Sequence, residues 1–362
     1  MSQNWSFKNY ILDEIEKSGG MVNTHAHIDR SNTLGQHNFD LYLEGEKWHT
    51  NDNPKGKPSP LDYMNYKWLI NDSLKRNSSV QDYYDRMAVT VNQQIAQGVK
   101  VLCSYIDIDP VVGGKVMEAA IRIREDFKDK ITILYSQQTH YGILNKEARY
   151  WFDKGAEFVD MIGGLPEAEK EPEKESRHMD ILLETAKRYN KILQVHIDQL
   201  NLPSQKQTRL LAEKTIQFGM ENRVVGVHGL SLAAQEKSYR NETYKIMRDA
   251  GLMMIVCPTA WLDTKRSEVL MPFHNSCPPV DEFIENGITV ALGTDGITDV
   301  YVPFCDGDMW FELRTLAHVC RLSNIEELVK IASTNGRKVL GLPEFKKEEV
   351  FIEERALEKV AA

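Results

Sequence analysis

Short apolar runs rich in valine and isoleucine recur along the chain, and between them the apolar positions change to helical spacing. Residues 6–18 put Tyr10, Ile11 and Ile15 on one stripe, which predicts a short amphipathic helix stopped by Gly19-Gly20. Met21 to Asp29 follows as a strand. A helical pattern over Val80 to Gln97 leads into the apolar run Val99 to Asp107. From Gly114 to Phe127 the positions Val116, Ala119, Ala120, Ile123 and Phe127 repeat as on a helix. Next come the run Ile131 to Thr139, a helical stretch Asn145 to Lys154, and the run Phe158 to Ile162. The charged stretch Glu167 to Arg177 reads as a solvated loop and helix start. Ile192 to Ile197, a helix over Gln205 to Phe218, and Val224 to His228 follow. A helix over Tyr239 to Asp249, then Leu252 to Cys257, Pro279 to Glu285 and Ile288 to Asp295 complete the series. Two helical stretches close it, Met309 to Arg321 and Ile325 to Leu340.

Eight candidate strands result, starting near residues 21, 99, 131, 158, 192, 224, 252 and 288. Short apolar strands separated by helices predict a buried parallel sheet, and eight of them predict an α/β fold of the (β/α)8 TIM-barrel type. A doubly wound open sheet is the runner-up, but no Gly-x-Gly-x-x-Gly turn follows the first strand. There is no internal repeat, so residues 1–362 read as one barrel domain. The polar stretch 30–60, punctuated by Gly45, Pro54, Gly56, Pro58 and Pro60, reads either as a lid or as a surface insertion.

Composition narrows the partners. Hydrophobic residues are 42% and charged residues 27%, as in an ordinary globular chain. A net charge of −9 lacks the basic footprint of a nucleic-acid binder. No apolar stretch reaches membrane-spanning length, and the N-terminus lacks a basic segment followed by an apolar run. Five cysteines without a Cys-x-x-Cys pair point to a reducing cytoplasm. The expected partner is a small-molecule substrate, with self-association into a homo-oligomer left open.

The chemistry gathers at strand ends. In Thr24-His25-Ala26-His27 the period of two puts both imidazoles on one face, with Cα atoms roughly 6.6 Å apart. That is close enough for both to reach one metal ion at about 2.0–2.1 Å. The third strand runs out into Gln137, Gln138 and His140, and the fifth ends in His196-Ile197-Asp198-Gln199. The sixth ends in His228 and the eighth in Asp295. Catalytic residues of such barrels lie at this end of the strands. Imidazoles with one carboxylate suit a divalent ion that keeps a position open for water and lowers its pKa to about 7. Asp295 can bind that ion and take the water's proton, and His228 can polarise the bond under attack.

This set resembles the amidohydrolase superfamily and, over most of the chain, its cytosine deaminase-like branch. The matching pieces are Thr24 to Asp29, Leu193 to Asp198, Val227-His228-Gly229, and Gly293-Thr294-Asp295 through Tyr301-Val302-Pro303. The resemblance implies one divalent metal, zinc first and iron second, held by His25, His27, His196 and Asp295, with His228 as catalytic histidine. It also implies a deaminase of a cytosine-like ring. Three features depart from the pattern. Gln199 stands where the branch has a proton-shuttling Glu, and an amide cannot carry a proton at neutral pH. Gly296 replaces a second Asp. The chain also reads as a bare barrel, without the β-sandwich that family members often build from both chain ends. By the same likeness His140, preceded by Gln138, falls where the branch reads its base, and Tyr301 replaces a Trp.

The fourth strand, Phe158 to Gly164, holds no lysine for a carboxylated two-metal site. A nuclease would want a basic groove. Two alternatives stand beside the deaminase. One is an amidase or N-substituent-removing amidohydrolase acting on a cyclic amide; the other is a degenerate barrel that binds without turnover.

Overall fold

The computed structural model describes residues 6–35, 40, 43, 60–260, 262 and 277–346. Its strands are β1 Met21–Ala26, β2 Val99–Asp107, β3 Thr132–Gln138, β4 Ile162–Gly164, β5 Leu193–Ile197, β6 Val224–His228, β7 Met253–Val256 and β8 Val290–Leu292. The helices are α1 Phe7–Lys17, α2 Pro60–Asn77, α3 Val80–Ala96, α4 Lys115–Phe127, α5 Lys146–Phe158, α6 Pro172–Tyr189, α7 Gln207–Gln217, α8 Lys237–Ala250, α9 Val280–Glu285, α10 Met309–Val319, α11 Ile325–Ala332 and α12 Thr334–Val339.

All strand pairs are parallel. They run β1-β2-β3 and β4 through β8 in chain order. Both seams between these two sets are bridged. Tyr135 O accepts the amides of Asp160 (2.9 Å) and Met161 (3.2 Å), joining β3 to the approach of β4. His25 O accepts those of Thr294 (2.9 Å) and Asp295 (3.0 Å), joining β1 to the exit of β8. The ring is a TIM barrel, as the alternation of apolar runs and helices predicts. Gly293 permits the second seam, because a Cβ there would lie 2.6 Å from His25 Cβ.

Alternation within the strands separates two cores. Val101, Cys103 and Tyr105 of β2 face inward with Val225 and Val227 of β6 and Met253 and Ile255 of β7. Leu102 and Ile106 of β2 and Met254 and Val256 of β7 face the helices. Local signals fix the helices. Ser79 and Asp82 form a reciprocal capping box on α3, which buries Tyr83, Met87, Thr90, Val91 and Gln94 along one face. α6 starts on Pro172 and ends at Asn190 in the left-handed conformation.

Several expectations need correction. Phe158 is the last residue of α5, stacked on Tyr135, and β4 begins only at Ile162. Gly163 is required in that strand, since a Cβ there would lie 2.2 Å from Gln137 O, and its presence empties the segment of strand-like side chains. Tyr10 lies off the buried stripe of α1 and is exposed, whereas Ile11 and Ile15 are buried. The Ile325 to Leu340 stretch is two helices broken at Ser333, whose φ of −136° and ψ of −89° are not helical. Helix α2 is new. Within the stretch 30–60, residues 36–39, 41–42 and 44–59 lie outside the described residues, so the lid reading does too. Among the described residues no strand lies outside these eight, no helix is long and apolar enough to cross a membrane, and all five cysteines are free thiols.

Candidate active site

Four histidines and one carboxylate converge at the C-terminal mouth of the barrel. The ring of His25 lies 4.9 Å from His27, 5.0 Å from His196 and 5.4 Å from His228, centroid to centroid. One carboxylate crosses the group. Asp295 Oδ1 is 3.2 Å from His27 Nε2 and 3.6 Å from His25 Nε2, while Oδ2 is 3.7 Å from His228 Nε2. The inward-facing Tyr105 forms the floor, with ring centroids 4.4 Å from His25 and 4.7 Å from His196. His228 and Asp295 sit at φ 78° and 62°, left-handed values that non-glycine residues seldom adopt and that gather at functional sites.

Burial sets the protonation states. It holds His27 and His196 well below the usual histidine range and lowers His228 to about 3, so these rings are neutral at pH 7. Burial works against charge on Asp295 too. The adjoining His25 and His27 imidazoles overcome it and hold the carboxyl well below its ordinary range.

The donor set fits a divalent ion. Both nitrogens of His25, Nδ1 of His27 and Nε2 of His196 are buried without a hydrogen-bond partner, a costly state for polar atoms that bind nothing. One ligand atom each from His25, His27 and His196 lies within 4.8 Å of the others, as does one each from His25, His228 and Asp295. His196 Nδ1 lies 3.3 Å from Gly164 O, a contact that fixes its ring from β4.

Beside this centre stands a charged wall that the sequence reading largely missed. Lys75 of α2 puts Nζ 2.8 Å from Asp107 and 2.9 Å from Asp109, at the end of β2, and 3.3 Å from His140 Nδ1. His140 Nδ1 also lies 3.2 Å from Asp107 Oδ1. Asp107, Asp109 and His140 could group around a cation, but the Lys75 ammonium already supplies that charge. Tyr301 stacks on His140 at 6.1 Å and 14°, and the Arg30 guanidinium lies 4.4 Å over the Tyr301 ring. Arg30 in turn pairs with Asp299 at 3.0 Å. The Asp299 carboxylate packs 2.6 Å from where a Cβ on Gly296 would go, so a larger side chain at 296 would collide with it. Gln138 sits in register with Asp107, its Oε1 buried and unpartnered. His140, Gln138 and Tyr301 therefore share one side of the mouth.

Glu167 is the exception to the solvated reading of its stretch, in which Lys170 to Lys174 are exposed and a helix starts at Pro172. It is buried, and its Oε2 accepts Nε2 of Gln199 at 3.3 Å and of Gln205 at 3.4 Å. Burial, then the charge of Glu175, pushes it up to about 7. Asp29 also reaches about 7, through burial and the charge of Asp107. Asp107 was within reach of the strand-end rule, since it too closes an apolar run. Nothing local marks Lys75 or Glu167.

The profile of the Amidohydrolase family matches residues 18–346. The chain belongs to this family. It is 44% identical to an uncharacterised protein of Haemophilus influenzae over 77% of this chain and 95% of that one. It is 26% identical to N-isopropylammelide isopropyl amidohydrolase of Pseudomonas sp. (strain ADP), over 92% of this chain and 78% of that one. The fold matches 5-methylcytosine deaminase from Klebsiella pneumoniae liganded with 5-fluorocytosine at a TM-score of 0.76 and 20% identity, covering 89% and 74% of the two chains. As an amidohydrolase the chain is a metal-dependent hydrolase acting on C–N bonds.

Another buried carboxyl gives a pH test of stability. Glu312 of α10 accepts the Thr259 amide at 3.0 Å, the Thr259 hydroxyl, and the Cys305 thiol at 3.3 Å. Burial pushes it from 4.5 up to about 8. A carboxyl raised on folding contributes its stability below the unfolded value and loses it as pH rises through the folded one. Wild-type stability should therefore decline between about pH 4.5 and 8 relative to Glu312→Gln, which keeps the acceptor but cannot ionise. Denaturant melts at both pH values check this; a difference that does not change with pH refutes the assignment.

Proposed function

We propose that the chain hydrolyses a C–N bond of a small nitrogen heterocycle. Deamination of a cytosine-like ring is the first reading. The observation that carries it is the group of buried imidazoles around Asp295, with unpartnered nitrogens on three of them. His25, His27, His196 and Asp295 would hold one divalent ion, with zinc expected. When bound, such an ion supplies a water acidified toward neutral pH.

The chain's own residues do the rest. Asp295 stands between His27 and His228 and can take the water's proton and pass it to the departing nitrogen. His228, neutral and buried, polarises the carbon–nitrogen unit and stabilises negative charge on the adding oxygen. Gln138, His140 and Tyr301 line one side of the ring's place, and Gln199 lines another. The Asp107–Lys75 pair holds His140 in its orientation.

The Pseudomonas relative, named as an amidohydrolase of N-isopropylammelide, supports a second reading: removal of an alkylamine substituent from an oxo-substituted ring. The five free thiols support work in a reducing cytoplasm. Elemental analysis should find about one equivalent of divalent metal per chain. A panel of cytosine, isocytosine, N-alkylated amino-oxotriazines and small cyclic amides then separates ammonia release from alkylamine release. A metal-loaded protein that turns over none of them sinks the reading and leaves the degenerate barrel.

A further inference from the structure

Glu167 stands in the 3-10 turn Pro166–Glu169 after β4, and Gln199 in the loop after β5. Both loops open on the face that carries the histidines. The hydrogen bonds around them settle which way each amide points. Gln205 Oε1 accepts the Leu200 amide at 2.8 Å and the Ser231 hydroxyl at 2.7 Å, so its NH2 end is the one turned to Glu167. Because that NH2 donates to Glu167 Oε2, this oxygen acts as an acceptor. When Glu167 is ionised this oxygen can only accept, so Gln199, which meets the same oxygen, must also present its NH2. Its carbonyl oxygen is then the end turned away from Glu167.

We propose that Glu167 is a positioning residue that locks the Gln199 amide with its carbonyl oxygen toward the substrate, so that the site selects rings presenting an N–H there over rings with a bare nitrogen. The inference rests on the heterocycle reading above and deepens it. A carbonyl oxygen facing a ring N–H makes a hydrogen bond; facing a bare ring nitrogen it sets acceptor against acceptor in a buried place. Such a mismatch weakens binding on the order of 10–100-fold. The favoured class is the lactam-type ring, with a carbonyl beside its N–H. An oxo-substituted ring that carries an amine or alkylamine substituent belongs to it where the ring nitrogen on the edge that meets Gln199 bears a hydrogen.

Competition binding to the metal-loaded full chain tests this with uracil and cytosine. The two differ along one edge: uracil has N3–H and a C4 carbonyl, cytosine a bare N3 and a C4 amine. At pH 8, above the value near 7 for Glu167, the wild type should favour uracil by about 10–100-fold. Glu167→Gln and Glu167→Ala should bring the ratio toward one, since the Gln199 amide is then free to turn. Gln199→Met should do the same with Glu167 intact. A purely structural role for Glu167 would weaken both ligands together and leave their ratio unchanged. Thermal melts on each variant confirm the fold before binding is read. A wild type that favours cytosine, or a ratio that survives Glu167→Gln in a folded protein, overturns the proposal. Binding of both rings without preference overturns the positioning role and leaves the heterocycle reading standing; binding of neither overturns this inference, and removes the heterocycle reading as well only where the panel above gives no turnover.

Discussion

Asp295→Asn should lower kcat/KM by about 10²–10⁴-fold, the range for a positioned proton-transfer group, with little loss of stability. The Asp295 carboxylate reaches His25 and His27 with one oxygen and His228 with the other. It also accepts the Gly296 amide at 2.8 Å. Asparagine keeps one acceptor oxygen but turns the other position into a donor and can take no proton. Its backbone suits the site, because Asn tolerates the left-handed φ of 62° better than most residues. With metal content matched between the two proteins, the deficit should therefore appear in turnover and not in the melting curve. Steady-state kinetics beside thermal denaturation check it, and an Asn variant near the wild-type rate refutes the assignment.

The largest expected effect on stability lies at Lys75. Its ammonium is buried against Asp107 and Asp109, with Asp72 at 3.8 Å. Lys75→Met keeps the length of the side chain and removes the charge, leaving two carboxylates buried without their cation. Breaking a buried pair in this way costs about 3–5 kcal/mol. Denaturant unfolding of the two proteins measures it. The sign with pH follows. Lys75 helps hold Asp107 well below its ordinary range, so in the variant that carboxyl titrates higher and the folded form takes up protons on acidification. The gap between variant and wild type should narrow as pH falls through the carboxylate range. A gap under about 1 kcal/mol at pH 7, the worth of an exposed pair, would refute the buried-pair reading.

Much of the barrel was legible because its strands are buried on both faces and read as continuous apolar runs. The bounds of β2 and β6 coincide with those runs. His25, His27, His196, His228 and Asp295 stood out because each ends an apolar segment where packing alone does not call for it. β4 was misplaced because close approach to Gln137 demands glycine, which carries no strand pattern. α2 was missed because its inward stripe, Lys67, Asn71 and Lys75, is polar and answers charges far away in sequence. A run of acidic and basic letters, as around Glu167, looks the same whether it faces water or a buried amide. Such partners become visible only once the loops after β4 and β5 lie side by side.

The seam between β1 and β8 has a consequence for the order of assembly. His25 lies in the first strand, His27 directly follows it, and Asp295 follows the last. During synthesis at roughly 5–20 residues per second, the interval between them is on the order of tens of seconds. Through that interval the emerging chain can offer histidines but not the carboxylate. Both the carboxylate and the closing hydrogen bonds to His25 O arrive with the same few residues. On the proposed ligand set, full-strength metal capture would be a late step of biosynthesis, and possession of the ion would mark a barrel whose circuit is complete.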